Sequence, residues 1–223
     1  MKITPYVLIS LGLTLASAAV GAWVYSRLPD GAVVAVHWDL HGHANGFARK
    51  GAGLAFMLAL PPLTSLGRSA LFVALPRLSR FGPALEKAGA ARGVAMVGVA
   101  GLMLALQAII AAQSVGVALD VVRLISGLTG ALFMALGNVL GKVGRNEFFG
   151  VRTPWTLASA TVWDKTQHFA GRLMVVAGAL LAATSLLVKA DEVLFAAIML
   201  SALAPAIASV IYSWAIFPKA ERV

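Results

Sequence analysis

Long apolar runs broken by short polar ones organise this chain from end to end. Six windows reach about 20 mostly apolar residues, the length that 1.5 Å of rise per residue needs to cross a hydrocarbon core. They lie at about residues 5–26, 52–76, 92–113, 121–141, 169–188 and 192–216. The joints between them are short, apart from the first and the fourth. No heptad repeat, low-complexity tail or internal repeat interrupts the pattern. The expected fold is all-α, a polytopic membrane bundle of six transmembrane helices forming one domain over residues 1–223. Residues 1–76 carry the first long connection at 27–51, and residues 90–223 carry the second at 142–168.

Composition removes the soluble alternative. Hydrophobic residues make up 60% of the 223 positions and charged residues only 12%, and the mean hydropathy is +0.87. A soluble domain has roughly 45–50% apolar and about 25% charged residues. Polar groups this scarce cannot cover a globular surface, but they suffice for the loops of a bundle. The absence of cysteine excludes disulfides, thiolate metal sites and cysteine nucleophiles.

The net charge of +9 would suggest nucleic acid in a soluble domain, but no basic run is interleaved with aromatics at a groove-reading spacing, so no nucleic-acid partner is expected. Instead the charge orients the bundle. One set of alternate connections holds Lys2, Arg77, Arg80, Lys87, Arg92, Lys142, Arg145, Arg152, Lys165, Arg172, Lys219 and Arg222. The other holds Arg27, Arg49, Lys50, Arg123 and Lys189. By the positive-inside rule the richer set is cytoplasmic, which predicts both termini inside and anionic membrane lipids around the basic loops. Lys2, the apolar run after it and Ala16-Ser17-Ala18 imitate a secretory signal, but the run continues to Tyr25, so retention of the first span is expected.

The first connection faces outward in this topology. His37, Asp39, His41 and His43 alternate in it, and a strand would project all four from one face, as a zinc or copper site would need. Gly42 argues against a regular strand and nothing fixes the imidazoles, so a polar turn without metal is the expected structure.

The fourth connection is cytoplasmic and contains NEFFGVRTPWTL (146–157). Thr153 before Pro154 predicts a helix start, with Thr153 as N-cap and Pro154 at the first helical position. Ser159, or Thr161 with Asp164 three residues on, offers a second start that runs into the fifth span. Trp155, Trp163 and Phe169 would then sit at the membrane interface. Phe148 and Phe149 would dip toward the acyl region while Arg145 and Arg152 stay at phosphate level. The connection is expected to be an interfacial loop and helix.

GNVLGKVGRN (137–146), FFGVRTPWTL (148–157) and VWDKTQHFAGRL (162–173) resemble the signature of the SdpI family of bacterial membrane proteins. The first loop resembles that family's companion N-terminal domain, matched here by Pro29, His37, Trp38, Asp39, Gly42, Gly46 and Lys50. The chain departs from the usual pattern at Asp39, Phe47, Gly141, Glu147 and Gln167-His168. The resemblance implies a non-enzymatic immunity and signalling protein of the bacterial cytoplasmic membrane, without a cofactor. It would protect against a secreted toxic peptide on the outer side and hold a transcriptional repressor on the cytoplasmic side. The candidate recognition residues are His37, Trp38 and Asp39 in the outer loop. In the inner loop they are Asn146, Phe149, Gly150, Arg152, Thr153, Pro154 and Trp155.

Two alternatives compete. Arg68 lies inside the second span shortly after Pro61-Pro62, which would suit a small transporter or exporter of a peptide or lipid-like solute. Against it, Arg68 is placed to snorkel toward the cytoplasmic headgroups. A lipid-modifying enzyme would need its groups to converge. His37 and Asp39, however, lie across the membrane from His168, Asp164 and Glu147, and no serine sits in a nucleophile elbow. Gly137 and Gly141 form a Gly-x-x-x-Gly pair that permits close helix approach, within one chain or between chains.

Overall fold

The computed structural model describes residues 4–39, 41–78, 88–146 and 148–220. Of the residues used above, Lys2, Arg80, Lys87, Glu147 and Arg222 lie outside the described residues. In chain order the elements are α1 (Thr4–Arg27), β1 (Val33–Trp38), β2 (Ala44–Arg49), α2 (Ala52–Leu78), α3 (Gly89–Ser114), α4 (Val121–Leu140), α5 (Pro154–Ala158), α6 (Ala160–Leu187) and α7 (Asp191–Ala220). Among the described residues, six of the seven helices are long and apolar enough to cross a membrane, all but α5. The protein is a multi-pass membrane protein with the expected helical bundle. The structure adds a two-stranded antiparallel hairpin where a polar turn was expected.

The bundle is knitted in two groups. In the first, α1 packs on α2 and α3 through a stripe of small and polar residues: Ser10, Thr14, Ser17 and Gly21, with Val24 at its end. Ser10 Oγ lies 2.8 Å from Ser69 Oγ, and Thr14 Oγ1 lies 2.7 Å from Ser65 Oγ. Each of these four hydroxyls thus finds a partner where hydrocarbon offers none.

Pro61, Pro62 and Pro76 stand inside α2, and a proline leaves the carbonyl four residues earlier without its helical donor. Two of those carbonyls are met from α3. Gln107 Nε2 donates to Leu58 O (3.2 Å), and Arg92 Nη1 donates to Phe72 O (2.6 Å). Gln107 is fully buried and Arg92 is 3% exposed. Gly21 leaves room for the Gln107 amide, which a Cβ there would strike.

In the second group α4 lies against α6, and α7 covers both. A Cβ on Gly137 would stand 2.6 Å from Gly171 O, and one on Gly171 would stand 2.6 Å from Gly137 O. One turned pair further on, Gly130 and Gly178 meet each other's carbonyls in the same reciprocal way, at 2.6 and 2.5 Å. Gly141, the second member of the sequence pair, is covered by the His168 ring. The glycine contacts are therefore internal to the chain.

The antiparallel path brings the hairpin to one end of the bundle and the 141–159 connection to the other. Val34 joins Val24, Leu54, Leu58, Ile110 and Ala111 in an apolar cluster beneath the hairpin. At the opposite end Val139, Val143 and Trp163 cluster with Ala88 and Ala91 at the start of α3.

Candidate functional site

At the hairpin end, the expected single face of His37, Asp39, His41 and His43 does not form. Only His37 lies in a strand, and the other three belong to the turn. His37 Nδ1 lies 2.6 Å from Asn45 Oδ1, and the His37 side chain covers Gly46, where a Cβ would come within 2.7 Å of its own. Asp39 is the organiser of the turn. Its Oδ1 accepts from the amides of His41 and His43, both at 2.9 Å, while its backbone N–H donates to His43 O (2.9 Å). Gly42 takes a positive φ of 75° inside this turn. Trp38 is half-buried against the apolar cluster below, so it holds the hairpin to the helices. Lys50 closes the base by donating to Leu28 O (2.7 Å) and pairing with Asp30 Oδ1 (3.0 Å).

The tip reaches across to the second helix group. His41 Nδ1 lies 3.2 Å from Glu192 Oε1 at the start of α7, and Gly42 lies beside Val122 and Asp191. The exposed face of the hairpin carries Val33, His37, Phe47 and Arg49.

Partial burial works to raise the Asp39 pKa, but the amides of His43 and His41, helped by the two imidazoles, outweigh it and hold the pKa below the ordinary aspartate value. A carboxylate so depressed stabilises the turn fully above its unfolded pKa of about 4 and loses that contribution as pH falls through the lowered folded value. The Asp39 carboxyl carbon shift should accordingly titrate with an inflection below pH about 4. An inflection at or above that value would contradict the geometry, and Asp39→Asn should remove it.

At the other end, the described residues between 143 and 159 are tied together by side-chain hydrogen bonds. Asn146 is 1% exposed. Its Oδ1 accepts from the amides of Phe148 and Phe149, both at 2.7 Å, and its Nδ2 donates to Gly144 O (2.8 Å) and Phe149 O (3.3 Å). Phe149 folds inward and meets Phe72 edge to face at 4.8 Å, while Phe148 stays 41% exposed. The expectation that both phenylalanines dip outward toward lipid is thus corrected for Phe149, because Asn146 turns the chain back onto the bundle.

Gly150 has φ +97°, and a Cβ there would come within 2.6 Å of Gln167 Oε1. Gln167, fully buried on α6, uses both ends of its amide on one residue. Val151 N–H donates to Oε1 (2.9 Å), and Nε2 donates to Val151 O (3.0 Å). Thr153 caps α5 as its sequence predicts: Oγ1 accepts from Thr156 N–H (3.2 Å), and Thr156 Oγ1 accepts from Thr153 N–H (2.9 Å). Pro154 opens the helix. Thr153 Oγ1 also lies 3.1 Å from Ser213 Oγ, which fastens the loop to α7. Ser159 caps α6, so the fifth spanning helix begins about two and a half turns before its apolar window.

Trp163 was expected at the membrane interface but is 3% exposed, with Nε1 donating to Val143 O (2.7 Å). Burial of the indole beneath the loop, with its one donor satisfied, explains the difference. Arg145 donates to Leu157 O and Ala158 O, at 3.3 and 3.4 Å, closing the last turn of α5. The exposed residues of the loop include Phe148, Arg152, Pro154 and Leu157, with Trp155 half-buried beside them.

The residues singled out in the inner loop therefore divide by task. Asn146, Phe149, Gly150, Thr153 and Pro154 shape the platform, and Arg152 and Trp155 are presented on it. Gln167, Trp163 and Thr156 shape it too, and sequence reading missed their part. Gln167 stood out only as a departure from a family pattern.

Arg68 carries its guanidinium 6.0 Å over the ring of Phe72, and its Nε and Nη2 are buried without a hydrogen-bond partner among the described residues. Lys142, Arg145, Arg152, Lys165 and Arg172 crowd the platform end, where Asp164 is the one acidic residue of the described 141–172 stretch.

Comparison with known proteins follows this division. Residues 142–213 match the SdpI/YfhL protein family, and residues 12–60 match a domain of unknown function (DUF1648). The chain is similar to the immunity protein SdpI of Bacillus subtilis (strain 168), 38% identical over 65 residues. That match covers 29% of this chain and 31% of the relative, so the chain spans less than a third of the curated relative it matches. No solved structure matches the chain.

Proposed function

We propose that this chain, whose residues 142–213 match the SdpI/YfhL protein family, is a membrane immunity and signalling protein of the bacterial cytoplasmic membrane. It binds a secreted toxic peptide at the hairpin end and, at the platform end, a soluble partner in the cytoplasm, a transcriptional repressor in the fullest form of this reading. The observation that carries the proposal is a coincidence of position. The family segment begins at Lys142, where the platform begins, and runs through α6 into α7, the helices to which the platform is fastened.

The orientation with both termini inside rests on the distribution of basic residues, and it sends the hairpin outward. The hairpin suits peptide capture, since Val33, Phe47 and His37 offer an exposed mixed face on a scaffold already pinned by Trp38, Asp39 and Lys50. The platform suits a protein partner, since Arg152 and Trp155 are the residue types that anchor interfaces, and the loop under them is already ordered. No step of this reading needs bond chemistry. Peptide binding outside shifts an equilibrium of the bundle that is read inside.

The test is survival. Expressed in a cell sensitive to the secreted toxic peptide, the protein should protect, and Arg152→Ala should abolish protection with its membrane abundance unchanged. Loss of abundance in step with protection would reduce Arg152 to a structural anchor and overturn its recognition role.

A further inference from the structure

The outer surface where α4 meets α6 carries a groove of about 350 Å³ at the platform end. Its floor is the glycine crossing itself, Gly137, Gly141 and Gly171, extended along the helix by Val175 and Val176. Its upper end is rimmed by Lys142, His168 and Arg172. A second groove of similar volume adjoins it through the shared His168 and Arg172, and is bounded by Lys165, Asp164 and the stacked rings of Phe169 and Tyr212, 4.3 Å apart.

We infer that this groove is a binding site for an anionic phospholipid. The apolar furrow runs along the spanning part of α4 and α6, where an acyl chain would lie, and Lys142 stands just past the Leu140 end of the α4 span, with Arg172 of α6 on the same rim. Among the described residues, neither the Lys142 nor the Arg172 side chain makes a hydrogen bond or an ion pair, and both are exposed. His168 is already held: its Nδ1 lies 2.9 Å from Asp164 O and 3.5 Å from Asp164 Oδ1. Asp164 is therefore turned to His168, and the pair of cations across the rim is left to a phosphate. A lysine and an arginine flanking an apolar furrow complement one negative headgroup joined to a hydrocarbon chain, which neither a neutral lipid nor a free anion supplies.

Full-length protein purified in a neutral detergent tests this by native mass spectrometry and by thermal melting. Phosphatidylglycerol should remain bound through detergent removal and raise the melting temperature, while phosphatidylcholine and inorganic phosphate at equal concentration should not. The double variant Lys142→Gln, Arg172→Gln should lose that preference by about thirtyfold, roughly fivefold for each headgroup contact. Lys189→Gln, at the opposite end, should retain it. Equal retention of the two lipids, undiminished retention by the double variant, or a phosphate effect matching the lipid's would each overturn the inference.

Discussion

Gly137→Leu removes the folded protein. The α4 and α6 backbones approach so closely at Gly137 and Gly171 that even a methyl group would lie 2.6 Å from a carbonyl oxygen and 2.9 Å from Met174 Cβ. Neither obstacle is the yielding tip of a long side chain, so the helices themselves must separate. Overpacking a core ordinarily costs about 1–3 kcal/mol and occasionally more. This site belongs at or above the top of that range, since the same separation also opens the Gly130–Gly178 crossing. The close approach is itself the attraction between spans, where lipid tails compete equally for apolar side chains. Thermal melting in detergent should show Gly137→Ala destabilised and Gly137→Leu without a cooperative transition. A Leu variant that melts like the parent would mean that the crossing is not close.

Gln167→Leu should disorder the platform while leaving the spans intact. The substitution keeps the volume but strips Val151 of both amide partners. Val151 O keeps the Thr156 hydroxyl at 3.0 Å, but the Val151 N–H loses its acceptor, and a backbone group left unsatisfied costs about 1–3 kcal/mol. A loop cannot absorb that where Gly150 already lies against the same amide. Gln167→Glu separates the two bonds. It preserves an acceptor for Val151 N–H and sets a carboxylate oxygen against Val151 O, so it should also fail. Limited proteolysis supplies the readout: cleavage between residues 146 and 158 should rise at least tenfold, the change that about 1.4 kcal/mol produces. Unchanged cleavage would show that the loop is held by Asn146 and Thr153 without Gln167.

These two residues mark how far the sequence could be read. The spans were legible because hydrocarbon thickness imposes a length on each apolar run, and α5 was legible because Thr153-Pro154 is a local signal. Gly137 was visible as a small residue in a span, but its partner Gly171 lies 34 positions on, and local spacing does not reveal which helix it meets. The hairpin was read as a turn because Gly42 interrupts the alternation; in the structure Gly42 is the turn, and the strands lie on either side of it. Trp163 was assigned to the interface by its type, whereas Val143 O and the roof of the loop, neither of them close in sequence, draw it inside. The candidate site was legible as a list of residues. Its division between framework and presented groups depends on hydrogen bonds spanning up to 60 positions.

The two carbonyls opened by Pro62 and Pro76 have a mechanical consequence. Gln107 and Arg92 engage them like a pair of rivets, Leu58 O near the hairpin and Phe72 O near the platform. Sliding α2 along α3 by a single helical turn, 5.4 Å, would shear both rivets together. α2 and α3 are thereby tied against sliding past each other, and any movement that keeps both bonds carries the two helices together.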